Sequence, residues 1–227
     1  MATEPALSPA DTRSRLVATA MDLFYQAGYA AVGVAGICAR AGVSKSSFYH
    51  FFASKEDLAL AVIEQRWQGF MQMLAPVQQS HLPALQKVQA VFDGMHGIAC
   101  ATHDAHGAVY GCPFGSLGSE LSTSATKVRE RVAEVFDRMA ALFRDWLAQA
   151  RAESALDADF DVDAAARDLV AVVQGMGVVG RVYNSPERMR ETGAHLVRLI
   201  LAPGHLAPPH PPTRPARLSA GGPDSRA

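Results

Sequence analysis

The sequence predicts an all-α fold. Three observations carry that reading. Apolar residues recur at helical spacing, as in Leu16, Ala20, Leu23, Phe24 and Ala27. No segment sustains the period-two alternation of a half-buried strand. Cap residues stand where each helix should begin or end. Ser8-Pro9-Ala10-Asp11 opens a first helix, with Ser8 as cap, Pro9 at the first helical position and Asp11 completing a capping box. Gly28 closes it. A short second helix follows from Gly33 to Ala41, then the tight turn Gly42-Val43-Ser44, then a third helix from Lys45 to Phe52. Ser54-Lys55-Glu56-Asp57 caps a long fourth helix that runs to Leu74. Pro76 and Pro83 bracket a linker. A fifth helix covers Ala84 to His103. Gly107, Gly111 and Pro113 break the chain before a short helix to Leu121. Long helices then span Thr126 to Ala152, Val162 to Tyr183 and Pro186 to Leu201. Residues 1–8 read as a flexible leader. Residues 203–227 hold seven of the 13 prolines and no aromatic residue, so they read as a disordered tail.

Composition narrows the function classes. With 227 residues, 49% of them hydrophobic and 19% charged, the chain can bury a core. Lys and Arg total 21 against 22 Asp and Glu, a net charge of −1. That excludes a strongly basic nucleic-acid coat and an acidic tail, but leaves room for DNA binding through a small, locally arranged site. Three cysteines are too few for a disulfide scaffold and odd in number, which fits a reducing, cytoplasmic setting. The start, MATEPALSPADTR, has no apolar run and does not read as a signal peptide. The longest apolar stretch, Leu169 to Gly180, is broken by Gln174 and is too short for a membrane helix of ~20 residues.

Residues 28–58 read GYAAVGVAGICARAGVSKSSFYHFFASKEDL. Two short helices joined by a three-residue turn containing Gly form a helix-turn-helix plan. Val34, Ile37, Ala41, Val43 and Phe48 can make its core, with Phe52 on the same inner face. The opposite face of the third helix then presents Lys45, Ser46, Tyr49 and His50 to a major groove. Lys55, at the start of the fourth helix, can hold a phosphate together with the backbone N–H groups there. The bland alternative is a helical hairpin with a solvated polar face.

The full string is similar to the DNA-binding head of TetR-family transcriptional regulators. The resemblance rests on Phe24, Gly28-Tyr29, Ile37, Ala41-Gly42-Val43-Ser44, Tyr49, Phe52 and Ser54-Lys55-Glu56, and covers residues 9–60. It implies a DNA-contact set of Gly33, Ser44, Lys45, Ser46, Ser47, Tyr49, His50 and Lys55. The sequence departs from the family where Thr-Ser commonly opens the second helix: Val32-Gly33 stand there, and a hydroxyl contact is lost. Phe51 replaces a common His or Tyr, and Cys38 replaces Ala as a small core residue. Residues 1–58 carry five basic and five acidic side chains, so affinity must come from placement and dimerisation.

For the rest of the chain the resemblance implies a helical domain that dimerises and encloses a small-molecule pocket. The division falls at residue 55, giving a head over 9–55 and a body over 56–202. GCPFGSLGSEL at 111–121 and QGMGVVGRVYNSPE at 174–187 resemble one branch of the family. The segment Gly175–Gly180 fits a dinucleotide-binding fingerprint but lies inside a helical apolar pattern, not between strand and helix. Its glycines are read as dimer-face residues. Leu169, Val172, Val173, Met176 and Val179, with Leu196, Leu199 and Ile200, suit a four-helix dimer interface. Met71, Met73, Met95, Met139, Met176, Phe136, Phe143 and Trp146 can line a pocket or fill a core.

Cys112 stands between Gly111 and Pro113 at a helix N-cap. Unpaired N–H groups there favour thiolate, and a sensor thiol would be ionised near neutral pH; the other reading, which the usual behaviour of a free Cys favours, is an inert buried residue. The branch includes regulators that answer electrophiles or oxidants through such a residue. His96, Cys100 and His103 share one helix face and, with Cys112, resemble a zinc donor set, but the tight ligand spacing of zinc sites is absent. The ligand or sensor set is therefore Cys112, Met95, Cys100, His103, Phe136, Met139 and Met176, with no metal and no cofactor. The sequence lacks a GxSxG elbow, an HExxH pair and a Walker loop, so no enzyme is expected. The combined expectation is a homodimeric repressor in the cytoplasm. It binds palindromic double-stranded operator DNA and is released by a small-molecule or electrophile inducer, with no membrane partner. The alternatives are an activator or metal-responsive regulator of the same fold, and a helical ligand carrier without DNA function.

Overall fold

A computed structural model of the chain describes residues 9–121 and 124–202. The expected leader and tail lie outside them. The described residues are all-helical: α1 (Pro9–Ala27), α2 (Val34–Ala41), α3 (Lys45–Phe51), α4 (Lys55–Gln79), α5 (Ala84–His106), α6 (Pro113–Leu121), α7 (Thr126–Ala152), α8 (Val162–Tyr183) and α9 (Pro186–Ile200).

In the head, α1 buries Leu16, Val17, Ala20 and Phe24 against Ile37, Cys38 and Ala41 of α2, Phe48 of α3 and Leu58, Ala59 and Val62 of α4. The α2–α3 turn is set by Gly42 at φ 63°, a left-handed conformation that glycine adopts without a Cβ penalty. Arg15 of α1 donates to the Ala41 carbonyl over 2.6 Å, so the C-terminus of α2 receives both a dipole partner and a hydrogen bond. Ser44 caps α3 by accepting from the Ser47 N–H, and Ser54 caps α4 by accepting from the Asp57 N–H.

The expected linker at Pro76 is not there. Helix α4 runs through Pro76 to Gln79, and the break is confined to residues 80–83. A proline removes one N–H from the ladder, which its neighbours can absorb when Leu74 is buried and the Ser80 hydroxyl closes the end on the Val77 carbonyl at 2.7 Å. Helix α5 also continues one turn past His103, until Gly107 at φ 68° stops it.

In the body, α8 packs on α9 and α7, and α5 packs on α7 and α9. Leu169, Val172, Val173 and Met176 face this core. They are therefore unavailable to a partner subunit, contrary to the expectation. The exposed apolar stripe of α8 lies one face round, at Ala171, Gly175, Val178 and Val182. No helix among the described residues is long and apolar enough to cross a membrane.

Candidate functional site

The outer face of α3 is open to solvent at Lys45, Ser46, Tyr49 and His50. Tyr49 is 57% exposed, although its ring edge rests on the fully buried Phe48. Alternation around a seven-residue helix thus holds a protruding ring and a cation on one side by burying a phenylalanine on the other. Ser44 and Ser47 bond each other's hydroxyls at 2.9 Å, so part of their capacity is spent on the cap. Gly33 is the exposed N-cap of α2 and supplies no side-chain bond.

Lys55 is placed differently from the expectation of a phosphate ligand. Its ammonium donates to the carbonyls of Tyr29 and Val32 at 3.1 and 3.0 Å and lies 3.9 Å from the centre of the Tyr29 ring. Burial lowers its pKa, opposed by the Glu120 carboxylate. Lys55 is a clamp on the α1–α2 loop. From the other side, Glu120 near the C-terminus of α6 accepts hydrogen bonds from the backbone N–H groups of Tyr29 and Ala30. The loop that seats the reading head is thereby tied to α4 and α6 at once.

The other end of α6 borders a cavity of about 790 Å³. Its wall is built from Ser14, Met21 and Tyr25 of α1, from Gln65, Arg66, Gln68, Gly69, Phe70, Gln72 and Met73 of α4, from Met95, Ile98 and Ala99 of α5, from Gly111 to Phe114, and from Met139, Val173 and Met189 of the last helices. Of the expected ligand set, Cys112, Met95 and Met139 line it. The other four lie outside its wall. Met176 is buried in the core against Gly193, and Phe136 packs half-buried on that core. Cys100 lies 3.4 Å from His96 Nε2, and His103 is half-buried further along α5. They share a helical stripe with the lining residues, but the stripe is wide enough to serve a core and a cavity together. Among the described residues no three His, Cys, Asp or Glu side chains gather as a metal-ligand group.

The segment before α6 is held at several points. Asn184, itself in the left-handed region, accepts from the Val109 N–H at 2.8 Å and donates to the Gly107 carbonyl at 2.9 Å. The Tyr25 hydroxyl donates to the Gly111 carbonyl at 2.9 Å. Gly111, at φ 77°, sits so close to α8 that a Cβ there would stand 2.8 Å from the Gly177 carbonyl oxygen. A Cβ on Gly177 would in turn stand 2.9 Å from the Cys112 nitrogen. Gly177 and Gly180 thus face inward, the latter against Met189, and only Gly175 of the three lies on an open face.

This packing decides the state of Cys112. The N–H groups of Phe114 and Gly115 and the Gln174 amide face the thiol as an N-cap requires, and each favours the anion. Burial outweighs them and pushes the thiol above its ordinary value. Of the two readings, burial favours the neutral, packed thiol over one ionised near neutral pH, and Cys112 lies on the cavity wall. Sequence reasoning missed Tyr25 and Arg66. Arg66 lies over the Tyr25 ring, 4.9 Å from its centre, and both reach the cavity.

Comparison with known proteins agrees with this layout. Residues 16–62 match the family model of bacterial regulatory proteins of the tetR family, and residues 84–196 match a tetracyclin repressor-like C-terminal domain. The chain is similar to the HTH-type transcriptional repressor NemR of Escherichia coli K12, at 26% identity over 85% of this chain and 96% of NemR. It is 35% identical to the transcriptional regulator AcuR of Cereibacter sphaeroides over 66% of this chain and 68% of that protein. The crystal structure of the reduced form of E. coli NemR superposes with a TM-score of 0.71, at 26% identity, covering 82% of this chain and 95% of that one. A reading head, a matched C-terminal domain and these relatives together place the chain in the TetR family of DNA-binding transcriptional regulators.

Proposed function

We propose that the protein is a homodimeric repressor that binds a palindromic operator and leaves it when a small molecule fills the cavity. The observation that carries this reading is the span of α6: Cys112 and Phe114 at its start border the cavity, and Glu120 near its end holds the backbone of the α1–α2 loop. A ligand that displaces the start of α6 changes the seat of the reading head. The two heads of a dimer must meet half-sites about one helical turn apart, so a small displacement is enough to weaken binding. Similarity to the transcriptional repressor NemR supports repression over activation.

The contact set is Gly33, Ser44, Lys45, Ser46, Ser47, Tyr49 and His50, with Lys55 acting through the loop. The head extends beyond residue 55, because Leu58, Ala59 and Val62 of α4 belong to its core. A thiol-reactive inducer remains part of the reading, with one condition: a buried neutral thiol reacts only with compounds that first enter the cavity. Action on chromosomal DNA implies a cytoplasmic location.

Gel-shift titration with the DNA flanking the protein's own gene tests the reading. The expected result is one shifted complex at a pseudo-palindrome, weakened about tenfold or more by Lys45→Ala or Tyr49→Ala while folding is unchanged. Wild-type affinity in both variants would overturn the assigned face. Failure of every cavity-sized compound and every thiol reagent to release DNA would overturn the release mechanism.

A further inference from the structure

Arg66 stands on the cavity wall without an anion. Among the described residues its guanidinium makes no ion pair and no hydrogen bond, and it lies over the face of Tyr25. The Tyr25 hydroxyl is already committed to the Gly111 carbonyl. Asp22 lies near enough to act on Arg66 electrostatically, but it is exposed and makes no ion pair with it. Half-burial makes the charge costly to hold, and its lowered pKa reflects this. Arg66 is also the only charged side chain among those lining the cavity. The rest of the wall is uncharged: Phe70, Met73, Met95 and Met139 supply apolar surface, and Ser14 with Gln65, Gln68 and Gln72 supplies neutral polar groups.

A single forked cation in a largely apolar chamber has a specific complement. A polyphosphate would need several cations, and an inorganic anion would leave most of about 790 Å³ unfilled. A planar carboxylate matches the guanidinium fork, and a hydrocarbon body matches the thioether and aromatic wall. We propose that the cavity takes an amphipathic organic carboxylate, its head paired with Arg66 and its apolar body laid among Phe70, Met73, Met95 and Met139. This rests on the reading of the cavity as the effector site.

The test is calorimetric titration of the full-length protein with octanoate and 4-phenylbutyrate, each against its neutral amide. Each carboxylate is expected to bind about tenfold or more tighter than its amide, the range of a charge-assisted hydrogen bond. Arg66→Gln should bring that ratio to about one and leave the amide's own affinity unchanged. Equal binding of acid and amide by wild type, a preference that survives Arg66→Gln, or no binding of either acid would each overturn the proposal. The wild-type comparison decides even if the variant fails to fold. Operator release by the same compounds is read separately. An acid that binds through Arg66 but releases no DNA upholds the ligand class and overturns the cavity as effector site. Release by neutral compounds alone overturns the ligand class and upholds the repressor reading.

Discussion

Glu120 accepts a hydrogen bond from the Tyr29 backbone N–H at 2.9 Å, across 91 residues of sequence. The same carboxylate takes the Ala30 N–H. A charged acceptor on two adjacent backbone donors fixes both the position and the orientation of the loop between α1 and α2. These donors are exposed, so water replaces the carboxylate readily when it is removed. Glu120→Ala is therefore expected to cost only about 1 kcal/mol of stability. Its larger effect is on communication. The ratio of operator affinity without and with inducer should fall toward one. A full response to inducer in Glu120→Ala, by gel shift, would show that the signal travels elsewhere.

Cys112 carries a pH signature. Burial raises its pKa above the ordinary thiol value of ~8.5, so at pH 7 less of it is thiolate than in free cysteine. Alkylation by iodoacetamide, followed by peptide mass spectrometry, should be slower at Cys112 than at free cysteine at pH 7. It should still be rising above pH 9, where free cysteine levels off. A folded pKa above the unfolded one means the folded state keeps the proton longer. The contribution is full below the unfolded value and is lost as pH rises through the folded one. Cys112→Ser should flatten that alkaline decline. Faster alkylation at Cys112 than at free cysteine at pH 7 would contradict the assignment.

The head was legible because its determinants are local. Ser44 caps α3 from three residues away, Gly42 makes the turn beside it, and Phe48 and Tyr49 divide inside from outside within one helical turn. The cavity depends on distant partners. Nothing near Arg66 in sequence announces that Tyr25, 41 positions earlier, will lie beneath it. Glu120 reads as an ordinary surface acid until the α1–α2 loop is brought to it. Cys112 shows both limits: its N-cap position is local and was readable, whereas the burial that reverses its ionisation comes from α8. Gly177 and Gly180 of α8 turn inward while Gly175 lies on an open face, because a glycine pattern does not say which neighbour needs the space.

Lys55 separates a clamp from a phosphate ligand. A lysine on a phosphate releases counterions, and its loss reduces the salt slope of binding by about one. With its ammonium already on the Tyr29 and Val32 carbonyls, Lys55→Ala should lower thermal stability and weaken operator binding while leaving the salt slope nearly unchanged. Lys45→Ala should do the reverse, reducing the slope with little effect on melting. A slope change at Lys55 equal to that at Lys45 would restore it to the DNA-contact set.

Helix α8 tests the dimer, because its inner and outer faces answer to different neighbours. On the outer face Val178 and Val182 are 62% and 75% exposed, and Gly175 has no atom within 4 Å of where a Cβ would stand. If this stripe meets a partner subunit, Val182→Glu buries a charge at the contact and should shift the protein to monomer in sedimentation at micromolar concentration. Operator affinity should be lost with it, while the helical circular dichroism is kept. On the inner face Gly177→Ala sets a methyl 2.9 Å from the Cys112 backbone nitrogen, where no flexible side chain can yield. That substitution should destabilise the subunit by about 1–3 kcal/mol, the range of overpacked cores, without a primary effect on association. Gly175→Ala discriminates further. Within one subunit it should raise helix stability by up to about 1 kcal/mol, since alanine is the better helix former and the space is open. In a dimer that brings the two α8 helices into close contact, the same methyl meets the partner, and the dimer should weaken instead. A dimer unaffected by both Val182→Glu and Gly175→Ala would place the interface away from this face of α8.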